Sequence, residues 1–65
     1  MSKKSLGAKI KAAREKAGLS QEALAREADI SLGSMYRIEN DKMTPTFPIV
    51  AKISEVLGIS LDSLR

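Results

Sequence analysis

Residues 20–40, SQEALAREADISLGSMYRIEN, leave the chain few ways to fold. Ser20 is placed to accept an orphan N–H at a helix start. Gln21 and Glu22 then open a short helix in which Leu24, Ala25 and Ala28 face inward. Asp29, Ile30 and Ser31 break that pattern, and Ser31 is a second N-cap. A second helix follows over 32–40, with Met35 and Ile38 on one side. Leu24, Ala28, Ile30, Met35 and Ile38 thus point to a core, whereas Ser31, Gly33, Ser34, Tyr36 and Arg37 do not. The result is two short helices, a tight turn, and an outer helix face with no packing duty.

The flanking segments supply the rest of a small helical core. Leu6, Ile10, Ala13 and Ala17 recur on one helical stripe, Ser5 can cap its start, and Gly18 fits a left-handed stop. Lys9, Lys11 and Lys16 lie off the stripe, and Arg14 lies beside it, within reach of another helix. Gly7 has two readings, a fraying first turn or a close approach by a helix or by a DNA backbone. After Asn40, residues 41–46 form a loop. Pro45 blocks helix extension and Thr46 caps the next helix, with Phe47 and Pro48 in its first turn. Phe47, Val50, Ile53, Val56 and Leu57 are expected to form its apolar face, and Gly58 to end it. Ser60 can cap a last short helix over 61–65, where Leu61 and Leu64 join Ile59 as apolar residues. The expected architecture is all-α with five helices, made of a flexible basic arm at 1–5 and one domain at 6–65.

Composition narrows the function classes. Sixty-five residues make one domain at most. The absence of Cys and His removes disulfides, thiolate sites and ordinary zinc coordination. A net charge of +3 and a pI near 9.5 are compatible with a nucleic-acid partner without requiring one. Tyr36 and Phe47 are the only aromatic residues, which argues against base stacking on a single strand. The start MSKKS has no apolar run of the secretory kind, and nothing approaches the roughly 18 apolar residues of a membrane span. The acids are dispersed, with no Gly-rich phosphate loop and no nucleophile–base set, so no enzyme activity and no cofactor are expected. The expected location is cytoplasmic, on the nucleoid.

The joint spacing of many residues resembles one family. Leu6, Gly7, Ile10 and Arg14 are followed by Gly18-Leu19-Ser20-Gln21-Glu22 and Leu24-Ala25. Ile30-Ser31, Met35, Arg37-Ile38-Glu39-Asn40, Pro45, Leu57-Gly58-Ile59-Ser60-Leu61 and Leu64 complete the pattern. Together they resemble the helix-turn-helix proteins of lambdoid phage repressors, Cro proteins and their bacterial relatives. Where similar proteins usually carry glycine, this chain has Asp41, a residue that tolerates the left-handed region. The resemblance implies a compact lambda-repressor-like domain whose helix at about 32–40 enters the major groove of a double-stranded DNA operator.

The resemblance places Leu32, Gly33 and Arg37 at base-reading positions, with Ser31, Ser34 and Tyr36 beside them. Physically, Arg37 is the best reader, since a guanidinium can take guanine O6 and N7 together. Leu32 could touch a thymine methyl or merely shield the helix start. Gly33 offers no side chain, and Tyr36 could meet the backbone or bury itself against the loop at Thr44. Base contacts are therefore expected from Leu32, Gly33, Tyr36 and Arg37, and backbone contacts from Gln21, Ser31, Ser34, Asn40 and Lys42. The plain alternative for each is a solvated surface side chain. Gln21 would aim its amide and backbone N–H at a phosphate, and Lys3 and Lys4 could add a basic arm. Arg14 and Glu39 occupy the family's positions for a structural ion pair. The leading reading is a sequence-specific transcriptional regulator, most simply a repressor. The alternatives are an antitoxin-type protein–protein module and a helical domain with a lost or redesigned surface. A homodimer is open as an assembly, in solution or only on DNA, with no membrane and no small-molecule site. Thr44-Pro45-Thr46-Phe47 followed by LGISLDSL also resembles regulators that carry a small sensory β-barrel after the helix-turn-helix, so the chain reads as an excised or minimal DNA-binding domain.

Overall fold

Three serines start three helices in the same way. In the computed structural model, which describes residues 4–64, Ser5, Ser20 and Ser31 have extended backbones and accept N–H bonds through their hydroxyls. The donors are Ala8 at 3.1 Å, Ala23 at 3.0 Å and Ser34 at 3.0 Å. Each cap is worth about 1 kcal/mol. The helices that follow are α1 (Leu6–Lys16), α2 (Gln21–Glu27) and α3 (Leu32–Glu39). Thr46 has the same extended backbone before α4 (Phe47–Leu57), but its hydroxyl makes no cap bond there. Proline early in α4 lacks an N–H that would be orphaned anyway.

The four helices also end alike. Gly18, Asp29, Asp41 and Gly58 have φ of 75°, 61°, 59° and 69°, all left-handed. One residue later, the N–H returns to a carbonyl in the last helical turn. Leu19 reaches Arg14 at 3.1 Å, Ile30 reaches Ala25 at 2.9 Å, Lys42 reaches Arg37 at 2.7 Å and Ile59 reaches Ser54 at 3.0 Å. This is the Schellman termination, which satisfies carbonyls the helix leaves open. Three of the four returning residues are apolar, and Ile30 and Ile59 pack against the core. Lys42 is the polar exception.

Every helix contributes to one core: Ile10, Leu24, Ala25, Ala28, Met35, Ile38, Ile53 and Leu64 are buried. Among the described residues there are four α-helices and no strand. The expected fifth helix is instead a single 3-10 turn, Leu61–Leu64. Ser63 bonds the Ser60 carbonyl three residues back, and so short a segment cannot build the next-longer ladder of an α-helix. Residues 1–3 and Arg65 lie outside the described residues, so the arm at 1–5 is described only at exposed Lys4 and at Ser5, which caps α1. On α4, Ile53 is buried and Val50, Val56 and Leu57 are half-buried, but Phe47 is 71% exposed. The packed side of α4 therefore begins at Ile49 and Val50, and Phe47, the first helical residue, stays largely in solvent at the edge of a groove shared with Leu6, Leu61 and Leu64. On α1 the buried side is Gly7, Ile10 and Arg14, while Ala17 is exposed.

Gly7 shows why α1 and α3 can cross so closely. A Cβ at Gly7 would overlap the Ile38 carbonyl oxygen and lie 2.7 Å from that of Glu39. Its N–H donates to Asp41 Oδ1 at 3.1 Å, and the Ser5 hydroxyl donates to Asp41 Oδ2 at 2.6 Å. The residue that ends α3 thus also holds the start of α1, where a negative charge suits the helix dipole. The helical glycines should consequently respond oppositely to alanine. Gly7→Ala should lower the urea midpoint, because overpacking against backbone costs about 1–3 kcal/mol. Gly33→Ala should raise it, through up to about 1 kcal/mol of added stability, since its Cβ would meet only Ser31 Oγ at 3.9 Å. Equal effects would contradict the close crossing.

Candidate nucleic-acid interface

The interface is built on a buried charge pair. Arg14 of α1 and Glu39 of α3 lie 2.7 Å apart, with 10% and 1% of their side chains exposed. Arg14 Nε donates to Glu39 Oε2, and Nη2 donates to Oε1 at 3.2 Å. The remaining arm, Nη1, donates to the Leu19 carbonyl at 2.7 Å. The Glu39 hydrogen bond is the main reason that the Arg14 pKa is raised further, against the opposing effect of burial. Gln21, the first residue of α2, completes the group by donating its amide to Glu39 Oε1 at 3.0 Å. One carboxylate thereby gathers α1, α2 and α3.

On the other side of α3, the outward residues share one open depression. Gln21, Leu32, Gly33, Tyr36, Arg37 and Lys42 line it, with two cations and no acid among them. Leu32 is 48% exposed and Tyr36 58%, so Tyr36 is not buried against the loop at Thr44. Arg37 is exposed one helical turn from Gly33. Lys42 is held there by its backbone return to Arg37.

The other expected backbone-contact residues lie outside this lining and make bonds within α3. Ser31 caps the helix and donates its hydroxyl to Ser34 Oγ at 2.9 Å, which leaves the Ser34 proton available. Asn40 Nδ2 donates to the Tyr36 carbonyl at 2.8 Å and keeps a second N–H. Gln21 Nε2 likewise keeps one N–H beyond the bond to Glu39. Among the described residues, no helix is long and apolar enough to cross a membrane, and no group of three potential metal ligands exists.

Comparison with known proteins accounts for this arrangement. A family model described as helix-turn-helix matches residues 10–64. The chain belongs to the helix-turn-helix family. That family consists of DNA-binding transcription regulators of the lambda repressor-like type, not of enzymes. The HTH-type transcriptional regulator RamB of Mycobacterium tuberculosis is 36% identical over 59 residues, which are 91% of this chain and 12% of that protein. The chain thus spans a small fraction of the length of this relative. The DNA-binding domain of the P22 c2 repressor in solution superimposes with a TM-score of 0.92 at 26% identity, covering 98% of this chain and 84% of that one. The same repressor in complex with synthetic operator 9T gives 0.88, covering 95% and 94%. SinR, the master regulator for biofilm formation, in complex with DNA, gives 0.86 at 30% identity, covering 91% and 95%.

Three features of the site were missed in the sequence. The Gln21–Glu39 bond needs the crossing of α2 and α3, which no local pattern encodes. Asp41 read only as a substitute for glycine, although a carboxylate at a left-handed stop is also a free acceptor. Ser54 is buried on the core side of α4, where its hydroxyl satisfies itself on the Ala51 carbonyl at 2.8 Å. The buried pair predicts a non-additive stability pattern. Arg14→Met alone leaves Glu39 uncompensated and should cost about 3–5 kcal/mol. Adding Glu39→Leu should recover much of that loss. Thermal melts of the wild type, both single variants and the double variant would show it, and additive losses would mean that the pair is not coupled.

Proposed function

We propose that this domain binds duplex DNA sequence-specifically as a transcriptional regulator, most simply a repressor, with α3 lying in the major groove. The observation that carries the reading is the shared open depression of half-buried Gln21 with exposed Leu32, Gly33, Tyr36, Arg37 and Lys42, lined by no acid. A major groove about 12 Å wide admits one helix, and a helix whose outer face has no packing duty can enter it. Arg37 then reads a base edge, with Leu32, Gly33 and Tyr36 beside it. Lys42, Gln21, Asn40 and Ser34 hold phosphates on either side, and Ser31 serves mainly as the cap of α3. The operator complex of the P22 c2 repressor and the DNA complex of SinR support the reading by similarity.

Few base contacts come from one short helix, so the working unit is two copies on a palindrome, their half-sites roughly 34 Å apart. The contact between copies falls on the loop after Asn40 and on half-buried Leu61, since Leu64 and Ile59 are spent on the monomer's own core. Exposed Phe47, which lines one apolar groove with Leu6, Val50, Leu61 and Leu64, adds to that surface. Sedimentation of the DNA complex should give two chains per duplex at saturation, and a single chain at excess protein would contradict the dimer.

Arg37→Ala should reduce discrimination between operator and random duplex by roughly 1–3 kcal/mol. Lys42→Ala should weaken both alike and flatten the salt dependence by about one unit of slope. Binding titrations across salt concentrations separate the two, and equal losses for Arg37→Ala on both duplexes would place Arg37 among the phosphate contacts.

A further inference from the structure

Gln21 is half-buried at the start of α2, and its Nε2 donates to Glu39 Oε1 at 3.0 Å. The accepting carboxylate has no freedom to swing. Oε2 takes Arg14 Nε at 2.7 Å, Oε1 also takes Arg14 Nη2 at 3.2 Å, and only 1% of the Glu39 side chain is exposed. Three helices thus fix the plane of one amide. That amide has a second N–H, and Gln21 lines the same depression as Arg37 and Lys42. A glutamine left free would sample several rotamers and lose them on meeting a ligand.

A bare carboxylate behind a phosphate contact would repel the phosphate. Arg14 removes the conflict, because its charge cancels that of Glu39 across the bidentate bonds. Resting on the DNA-binding reading above, we propose that Glu39 is a positioning residue for the DNA backbone, acting through Gln21. It holds one N–H of the Gln21 amide and so sets the direction in which the other meets a phosphate oxygen. The buried pair then has a second role besides orienting α3: it presets a contact that α2 makes. The contact is neutral, so it adds affinity on every duplex and leaves the salt dependence to Lys42 and Arg37.

Gln21 and Asn40 hold the only side-chain amides of the chain, so the Gln21 signal can be read without overlap. Nitrogen relaxation of Gln21 Nε2 in the free protein should show an amide as ordered as the α2 backbone. A freely mobile amide would overturn the proposal with no variant needed. Binding to a short random-sequence duplex is then compared for the wild type, Gln21→Ala, the double variant Arg14→Met with Glu39→Leu, and the triple variant, each checked by its thermal melt. Gln21→Ala and the double variant should each weaken binding roughly 2- to 10-fold, the weight of one hydrogen bond or one side chain to be ordered, with the salt slope unchanged. The triple variant should bind as Gln21→Ala does. A double substitution that costs as much in the Gln21→Ala background as in the wild type would show that Glu39 acts only by orienting α3, and would overturn the proposal. So would a Gln21→Ala variant that binds like the wild type, with the DNA-binding reading left intact. Failure of the wild type to bind any duplex at low salt would overturn both.

Discussion

The bidentate pair of Arg14 and Glu39 is the interaction on which the rest of this structure depends. A chain this small buries only ~60% of its unfolded surface, so its core alone gives α1 and α3 limited hold on each other. The pair fixes them at a point where an unpartnered carboxylate would be strongly unfavourable. It does so with two bonds in a fixed plane, and a third guanidinium arm ties the end of α1 through Leu19. Buried ion pairs contribute little net stability against an apolar replacement; what they contribute here is orientation. Glu39 faces inward at the end of α3, which turns Leu32, Gly33, Tyr36 and Arg37 outward.

The backbone carries the same logic. Gly7 lets α1 cross over the last carbonyls of α3, and Asp41 clasps the start of α1 from the residue that ends α3. The α3 helix is thus fixed at both ends, by the Ser31 cap and by the Asp41 stop, and along its length by Met35, Ile38 and Glu39. A helix of eight residues would be marginal alone. Its preorganisation matters for recognition, since a rigid helix loses little conformational entropy on binding. Lys42 belongs to this scheme: the other helix ends place an apolar residue after the left-handed stop, and this one places a cation beside the outer face of α3.

Much of this was legible in the sequence because the signals are local. Ser5, Ser20 and Ser31 announced helix starts, Gly18 and Gly58 announced stops, and the periodicity of Leu24, Met35 and Ile38 separated the core from the outer face. The resemblance to lambda repressor-like proteins rested on most of those residues, Ser5 excepted, together with Gly7, Arg14 and Glu39. What was not legible depends on contacts between elements. Phe47 fits the helical period of α4, yet it stays largely exposed at the edge of a groove rather than in the core. Residues 61–64 have a capping serine and apolar spacing, yet their length supports only a 3-10 turn. Gly7 had two readings until the crossing of α1 and α3 decided between them. Gln21 was read as turned to a phosphate, and in the structure its amide donates to Glu39 Oε1.

The central claim is that the outer face of α3, held by the buried pair, is the surface that meets duplex DNA. Backbone amide chemical shifts recorded during titration with a short duplex test it residue by residue. The account predicts that the largest changes fall on Gln21, on residues 32–37 and on Lys42, with little change at Lys52 and Glu55 on α4. Changes centred instead on Lys52 and Glu55, or an absence of change at low salt, would contradict it.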